Sequence, residues 1–374
     1  MFVDRLQVQG YRSARDLRLE LGPVNVLVGP NGCGKTTLYR SLQLLAAAAR
    51  GSLAQALLEE GGMPSAMWAG PRRRQDKKRL TVSVSSEGFG YEMSCGLPSP
   101  PGGWAGADGQ VRGSSLFLLD PEVKTEALWH RTGGRRVMLA QRRGAGAWLR
   151  DDDGRRIEYG MELNAWETLL GHVRDPARFP ELAQLRDGML RWRFYHGFRT
   201  DPGAPLRDPR QGVRTPVLDD EGNTLAAALQ TIYEIGEGGE LSAAIDHAFP
   251  GAKVEIHLTD DRRFTLRLVM PGLLRPLEAR ELSDGTLRYL CLLAALLSPR
   301  PPSLLALNEP ETSLHPDLLP PLAQRIAVAS RRSQIWLTTH SRPLADLVGR
   351  AAKVDPIEVE MVEGETRVVG QGWI

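Results

Sequence analysis

The sequence predicts an α/β fold: a mixed sheet core with flanking helices, an antiparallel β subsheet, an inserted α+β lid and no long coiled coil. Three observations predict it. Residues 24–28 are a short apolar, β-branched run, as a strand buried on both faces reads. A glycine-rich stretch follows at once, and Leu38, Leu42, Leu44 and Leu45 then fall at helical spacing. Near the other end, apolar runs at 304–307 and 334–338 read as two more buried strands, the first preceded by a long apolar helix over 287–297.

Composition narrows the function. Among 374 residues, 47 Lys and Arg stand against 45 Asp and Glu, a net charge of +2. That excludes a globally basic protein that coats nucleic acid by bulk charge, and equally an acidic disordered tail. With 42% hydrophobic residues the chain has ample material for a core. Only six basic residues are lysines (Lys35, Lys77, Lys78, Lys124, Lys253, Lys353), against 41 arginines. Codon bias produces such a skew; so does a set of guanidinium forks placed to grip phosphates. Cys33, Cys95 and Cys291 have no paired spacing, which argues against a disulfide framework or a cysteine-based zinc site. The opening Met1-Phe2-Val3-Asp4-Arg5 puts an acid where a signal peptide is basic and then apolar. The longest apolar run, 289–297, is about half of the ~20 residues needed to cross a bilayer. A cytoplasmic chain with no membrane partner is the expectation.

The glycine-rich stretch is Gly29-Pro30-Asn31-Gly32-Cys33-Gly34-Lys35-Thr36, followed by Thr37. This is the P-loop spacing G-x-x-x-x-G-K-[ST], in the strand–loop–helix context the motif requires. The glycines let backbone N–H groups converge on phosphate oxygens without Cβ clashes, and the helix N-terminus adds its positive dipole end. Lys35 is placed to reach the β- and γ-phosphates of ATP and Thr36 to ligate Mg²⁺.

Three further motifs follow in order. Leu282-Ser283-Asp284-Gly285-Thr286 opens the helix over 287–297; Ser then Gly at a helix start makes an anion site, or Ser283 is simply a cap. The strand 304–307 ends in Asn308-Glu309-Pro310-Glu311, and Glu309 lies where the carboxyl ends of parallel strands gather ligands. The strand 334–338 runs into Thr339-His340-Ser341.

This order of P-loop, Leu-Ser-x-Gly signature, Walker B strand and strand-terminal His resembles the ATPase head of the ABC/SMC/RecF superfamily. Glu-Pro-Glu-Thr-Ser-Leu-His-Pro (309–316) is similar to the RecF-like AAA ATPases related to the overcoming-lysogenization-defect group, as is the opening strand and turn over 10–17. The matched stretches, roughly 1–60 and 272–345, cover under half the chain. The resemblance implies a P-loop NTPase head of ABC/RecF type that hydrolyses ATP held between two copies. Ser283 and the Gly285 amide would face the γ-phosphate bound by the opposite copy. Glu309 would be the general base or orient the attacking water, with Lys35 and His340 completing the catalytic set, and Thr36 and Asn308 would hold Mg²⁺. Asn308 departs from the family, which usually carries an acid there; an oxygen without charge lowers Mg²⁺ affinity and slows hydrolysis. His315 stands where many ABC proteins carry an Asp. Gln75 and Gln141 are both candidates for the Q-loop, and Arg12, Ser13 and Arg15 approach the nucleotide on the resemblance alone.

The division this implies is 1–60 for the first half of the head, 61–222 for the inserted lid and 223–374 for the second half. In the insert, alternation predicts strands at 80–85, 89–94, 136–141 and 157–159, and helical patterns at 165–173, 182–193 and, past its end, 224–235. A hairpin at 254–258 and 264–270 and another at 357–362 and 366–369 complete the elements. Arginine concentrates in the insert, at Arg135-Arg136, Arg142-Arg143 and Arg155-Arg156, and at Arg191, Arg193 and Arg199 interleaved with Trp192, Phe194, Tyr195 and Phe198. That set reads as a phosphate-tracking surface with stacking aromatics, or as a salt-bridged lid with the aromatics in its core. Arg72, Arg73, Arg74, Lys77, Lys78 and Arg79 are the best candidate DNA contacts. About 34 residues past His340 leave no room for a nuclease module, so a separate partner is expected for nucleolytic work. Two readings result: an ATP-dependent homodimer acting on DNA in repair or anti-phage defence, or a slow ATP-gated switch controlling a partner effector without DNA contact. A small-molecule kinase is disfavoured, because its P-loop would not be accompanied by 282–286 and His340.

Overall fold

The computed structural model describes residues 2–71, 78–86, 88–98, 117, 119–132, 135–159 and 163–370. The chain forms two compact units: Met1–Gly22, Asn31–Arg191 and Val359–Ile374 make the first, Pro23–Pro30 and Trp192–Glu358 the second. In chain order, β1 (Arg5–Tyr11) and β2 (Ala14–Glu20) belong to the first unit, and β3 (Val24–Val28) to the second. The first unit resumes with α1 (Lys35–Arg50), α2 (Leu53–Glu59), α3 (Gly62–Ala66), β4 (Arg79–Ser85), β5 (Phe89–Gly96), β6 (Glu122–Thr132), β7 (Arg135–Arg143), β8 (Gly146–Arg150), β9 (Arg156–Glu158), α4 (Leu169–His172) and α5 (Pro180–Leu190). The second continues with β10 (Arg193–Tyr195), α6 (Leu225–Ile235), α7 (Gly238–Ala248), β11 (Lys253–Leu258), β12 (Phe264–Val269), β13 (Leu277–Glu278) and α8 (Asp284–Leu296). Next come β14 (Leu304–Asn308), α9 (Leu319–Ala329), β15 (Gln334–Thr339) and α10 (Arg342–Ala352). Finally β16 (Ile357–Val362) begins in the second unit and continues in the first, where β17 (Glu365–Val368) follows.

The first unit is built on an eight-stranded antiparallel sheet in the order β2-β1-β4-β5-β6-β7-β8-β9. Period-two burial drives it: Leu80, Val82 and Val84 of β4 are buried while their neighbours are half-exposed, and Leu6 and Val8 of β1 stand opposite Val84 and Val82. All four strands expected in the insert are present, and they extend the sheet that β1 and β2 begin. Helix α1 is apolar nearly all round and packs against α2, α4 and α5.

An internal ion pair ties the far strands of this sheet together. Arg142 and Glu126 are fully buried 3.6 Å apart. The Tyr91 hydroxyl donates to Glu126 at 2.7 Å and the Leu169 amide at 2.8 Å, while Arg142 donates to the backbone oxygens of Asn164 and Glu167. Burial pushes the Glu126 carboxyl up, and the bonds from Leu169 and Tyr91 oppose it. Of the two readings of the arginines in the insert, a phosphate-tracking surface or a salt-bridged lid, Arg142 fits the second, as a buried, ion-paired residue. Arg136 and Arg156 lie over the rings of Trp129 and Trp148, at 3.8 and 4.6 Å from their centroids.

The second unit centres on parallel strands in the order β10-β14-β15-β3-β16. Every residue of β3, β14 and β15 is buried, which is why each reads as a mainly apolar run, with Asn25, Asn308, Gln334, Thr338 and Thr339 the buried polar exceptions. The register sets Asn308 beside Thr338 and Thr339 beside Val28, so the carboxyl ends of three strands finish level. The apolar α8 packs among α6, α7 and α9, and β11-β12-β13 form a small antiparallel sheet. Two helical expectations shrink. The pattern at 165–173 yields only Leu169–His172, and the helix expected to reach 193 stops at Leu190. Arg193–Tyr195 instead forms β10 and pairs with β14. Trp192, Phe194, Tyr195 and Phe198 are all buried, so they pack a core and offer no stacking platform. Among the described residues, no helix is long and apolar enough to cross a membrane.

Candidate active site

In the first unit, the loop turns into α1 through glycines in left-handed conformations, Gly32 at φ 80° and Gly34 at φ 99°. Gly34 is the N-cap of α1, no side chain caps the helix, and its first turn holds no acid. The amide end of a 16-residue helix is thus kept for an anion. Asn31, Gly32 and Thr36 are exposed, while Cys33, Lys35 and Thr37 are buried. Lys35 Nζ donates to Cys33 Sγ at 3.8 Å.

The loop rests on a support the sequence did not announce. A Cβ on Gly34 would fall 1.9 Å from Thr366 Oγ1 of β17. That hydroxyl donates to Ser13 Oγ at 2.7 Å, the Thr366 amide donates to the Ser13 carbonyl at 2.8 Å, and Ser13 Oγ lies 3.2 Å from Thr37 Oγ1. Ser13, expected near the nucleotide, thus joins Thr366 and Thr37. Arg12 donates to Glu60 at 3.0 Å, and the Tyr11 hydroxyl donates to the same carboxylate at 2.7 Å; burial and that charge push the phenol up. Only the inward position of Thr366 in the alternation of β17 could have pointed to it.

In the second unit, Asn308 closes β14 with its Oδ1 accepting from Thr338 Oγ1 at 2.7 Å. Glu309 follows at φ 45°, a left-handed conformation rare for a residue with a Cβ, with its amide donating to the Thr338 carbonyl at 2.8 Å. His340, just past β15, sets Nδ1 3.5 Å from Glu309 Oε1 and 3.4 Å from Glu311 Oε1. Glu311 is buried and accepts from the Thr339 hydroxyl and, at 3.3 Å, from the Ser341 amide. Arg288 of α8 donates to the Glu309 carbonyl at 3.2 Å; burial pulls its pKa down, opposed by Cys291, Glu311 and Glu309, and a guanidinium stays charged there. Glu309 and His340, more than thirty residues apart, are thus brought together. Arg288 and Glu311 were missed as site residues.

Ser283 is the exposed N-cap of α8, its Oγ accepting from the Thr286 amide at 3.1 Å. A Cβ on Gly285 would lie 2.4 Å from the Ser313 carbonyl oxygen, so this position needs glycine for close approach of the segment after Glu311.

For Mg²⁺, the exposed Thr36 hydroxyl and the Asn308 amide oxygen are the expected donors. Asn308 Oδ1 already accepts one hydrogen bond, and among the described residues no group of three His, Cys, Asp or Glu side chains is arranged for a metal. Gln141 lies within β7, and Gln75 lies outside the described residues. His315 is exposed and accepts from the Asp317 amide at 3.4 Å. Of the candidate DNA contacts, Arg72, Arg73, Arg74 and Lys77 lie outside the described residues; Lys78 is exposed and Arg79 begins β4.

Two family models match the chain. One described as "AAA ATPase domain" covers residues 1–76. One described as "AAA domain, putative AbiEii toxin, Type IV TA system" covers 162–346. A 41-residue stretch is 51% identical to the OLD nuclease of Thermus scotoductus, covering 11% of this chain and 8% of that protein's length. Two solved structures share the fold. The Smc head bound to the C-winged helix domain of ScpA is 14% identical at a TM-score of 0.56, over 99% of this chain and 98% of that one. The Pyrococcus furiosus Smc head with an extended coiled coil, bound to the C-terminal domain of ScpA, is 13% identical at 0.51, over 98% and 96%.

Proposed function

We propose, from the premise that this chain is an SMC/RecF-like AAA ATPase, that two copies close around ATP and that closure and release act on DNA, in repair or in defence against foreign DNA. Lys35 and the amides of the Gly29–Thr36 loop hold the phosphates; Thr36 and Asn308 are the residues that would hold Mg²⁺, which would supply charge neutralisation when bound. Glu309 orients the attacking water or takes its proton, and His340 contacts the γ-phosphate. The observation that carries the two-copy reading is the second anion-binding helix end: Ser283 and Gly285 begin α8 at the surface, with Gly285 held there by its approach to Ser313.

A second reading, a slow ATP-gated switch that holds or releases a partner effector without touching DNA, is favoured by the interior placement of Arg142 and of the 192–198 aromatics. Those groups are withdrawn from any DNA-facing surface.

Sizing in solution tests both. With ATP and Mg²⁺ the Glu309→Gln chain is expected to dimerise and Lys35→Ala to stay monomeric. A Glu309→Gln chain that remains monomeric at saturating ATP refutes the two-copy reading. A salt-sensitive mobility shift on DNA, weakened by removing the charges of Arg72, Arg73, Arg74, Lys77, Lys78 and Arg79, supports the first reading; its absence leaves the switch.

A further inference from the structure

Arg207 lies at the end of a short 3-10 turn, Pro205–Arg207, and is only 7% exposed. Its guanidinium gathers carbonyls from two segments. Nε donates to Thr200 at 2.9 Å and Asp201 at 3.1 Å, and Nη2 to Thr200 at 2.7 Å. Nη1 donates to the carbonyls of Ala279, Arg280 and Leu282 at 3.1, 3.3 and 2.8 Å, three of the four in the turn over 279–282 that leads into α8. Nη2 also reaches Asp284 Oδ1 at 2.6 Å. A second pair, Asp208 with Arg280 at 2.7 Å, joins the same two segments at the surface.

We propose that Arg207 is a positioning residue for the signature segment, holding Ser283 and Gly285 in the geometry that receives the phosphate of a second copy. This deepens the two-copy reading and rests on it. Two effects converge. Mechanically, Arg207 grips Leu282 on one side of Ser283 and Asp284 on the other, so the serine sits between two fixed points. Electrostatically, Asp284 is an acid between Ser283 and Gly285, at a helix end that must accept an anion, and it is half-exposed. Its uncompensated charge would repel phosphate, and the bond to Arg207 both turns it aside and neutralises it. Lysine cannot replace the fork, because one ammonium lacks the planar set of donors that spans the turn.

The test compares Arg207→Met, Arg207→Lys and the double variant Arg207→Met/Asp284→Asn, with dimerisation followed in the Glu309→Gln background. Three quantities are read: the Kd of a fluorescent ATP analogue for the monomer, kcat for ATP, and the ATP-driven dimer fraction. Both single variants are expected to lower kcat and dimerisation about ten-fold while Kd stays within about two-fold. Asp284→Asn is expected to restore part of the dimer to Arg207→Met, which a merely structural loss would not allow. Should Arg207→Met fail to melt cooperatively, Arg207→Lys, which keeps the charge and loses the fork, carries the test. Unchanged kcat, a Kd that rises in step with the fall in kcat, or no rescue by Asp284→Asn overturns the assignment. If the parent Glu309→Gln chain does not dimerise, the two-copy reading falls and this role with it; if the parent and the Arg207 variants dimerise alike, only the role of Arg207 falls.

Discussion

Two helices of this chain begin at segments that read as anion sites, and they begin in opposite ways. Helix α1 starts from a left-handed glycine, without a side-chain cap, without an acid in its first turn, and with Lys35 as its first residue. Helix α8 starts from Ser283, whose hydroxyl caps the Thr286 amide, and carries Asp284 in its first turn, neutralised by Arg207. At the first end neither a side-chain cap nor an acid competes for the helix terminus, so a phosphate meets its positive dipole end directly. At the second, Ser283 already caps one amide, that of Thr286, so an anion there meets a serine that is partly engaged. Under the proposed two-copy reading, the difference suits a first site that holds its nucleotide alone and a second that engages conditionally.

The comparison breaks most sharply at Gly34. Alanine there would need φ near 99° and would drive its Cβ into Thr366 Oγ1, 1.9 Å away. Strain of roughly 1–3 kcal/mol from the backbone alone is expected to distort the loop. Gly34→Ala should therefore lower ATP affinity by on the order of 100-fold in equilibrium titration. Near-normal affinity would show that the loop is not held open by its backbone.

A smaller effect is expected at the support beneath the same loop. Thr366→Val keeps the shape of the side chain and removes its bond to Ser13, at a cost of about 1 kcal/mol. Since Gly34 packs on Thr366, ATP affinity should fall several-fold along with the melting temperature. A loss of stability with unchanged affinity would mean that β17 holds the fold and not the loop.

The open end was largely legible in the sequence and its support was not. The Gly29–Thr36 spacing fixes a backbone conformation locally, so a motif suffices to find it. Thr366 lies more than 300 residues from Gly34, and nothing in β17 announces a partner. Three of the parallel strands, β3, β14 and β15, were legible because burial on both faces leaves a mainly apolar run, and the same logic put Glu309 and His340 just past strand ends. Arg142 and Arg207 were illegible as what they are. A guanidinium that satisfies buried carbonyls looks, in sequence, like one that meets solvent or phosphate. Arg193 to Tyr195 misled for a related reason: three residues are too few to separate a helix's period from a strand's.

The smallest effect separates the two roles of Ser283. As an N-cap, its replacement by alanine costs about 1 kcal/mol, but by glycine only a few tenths, because glycine leaves the first amides open to water. As a phosphate contact, its hydroxyl is lost equally in both. Ser283→Ala should thus melt a few degrees below Ser283→Gly, while the two share the same reduced kcat and the same reduced ATP-driven dimer. If kcat instead follows the melting temperature from one variant to the other, Ser283 acts only through the order of α8. The conditional helix end would then be a cap and no more.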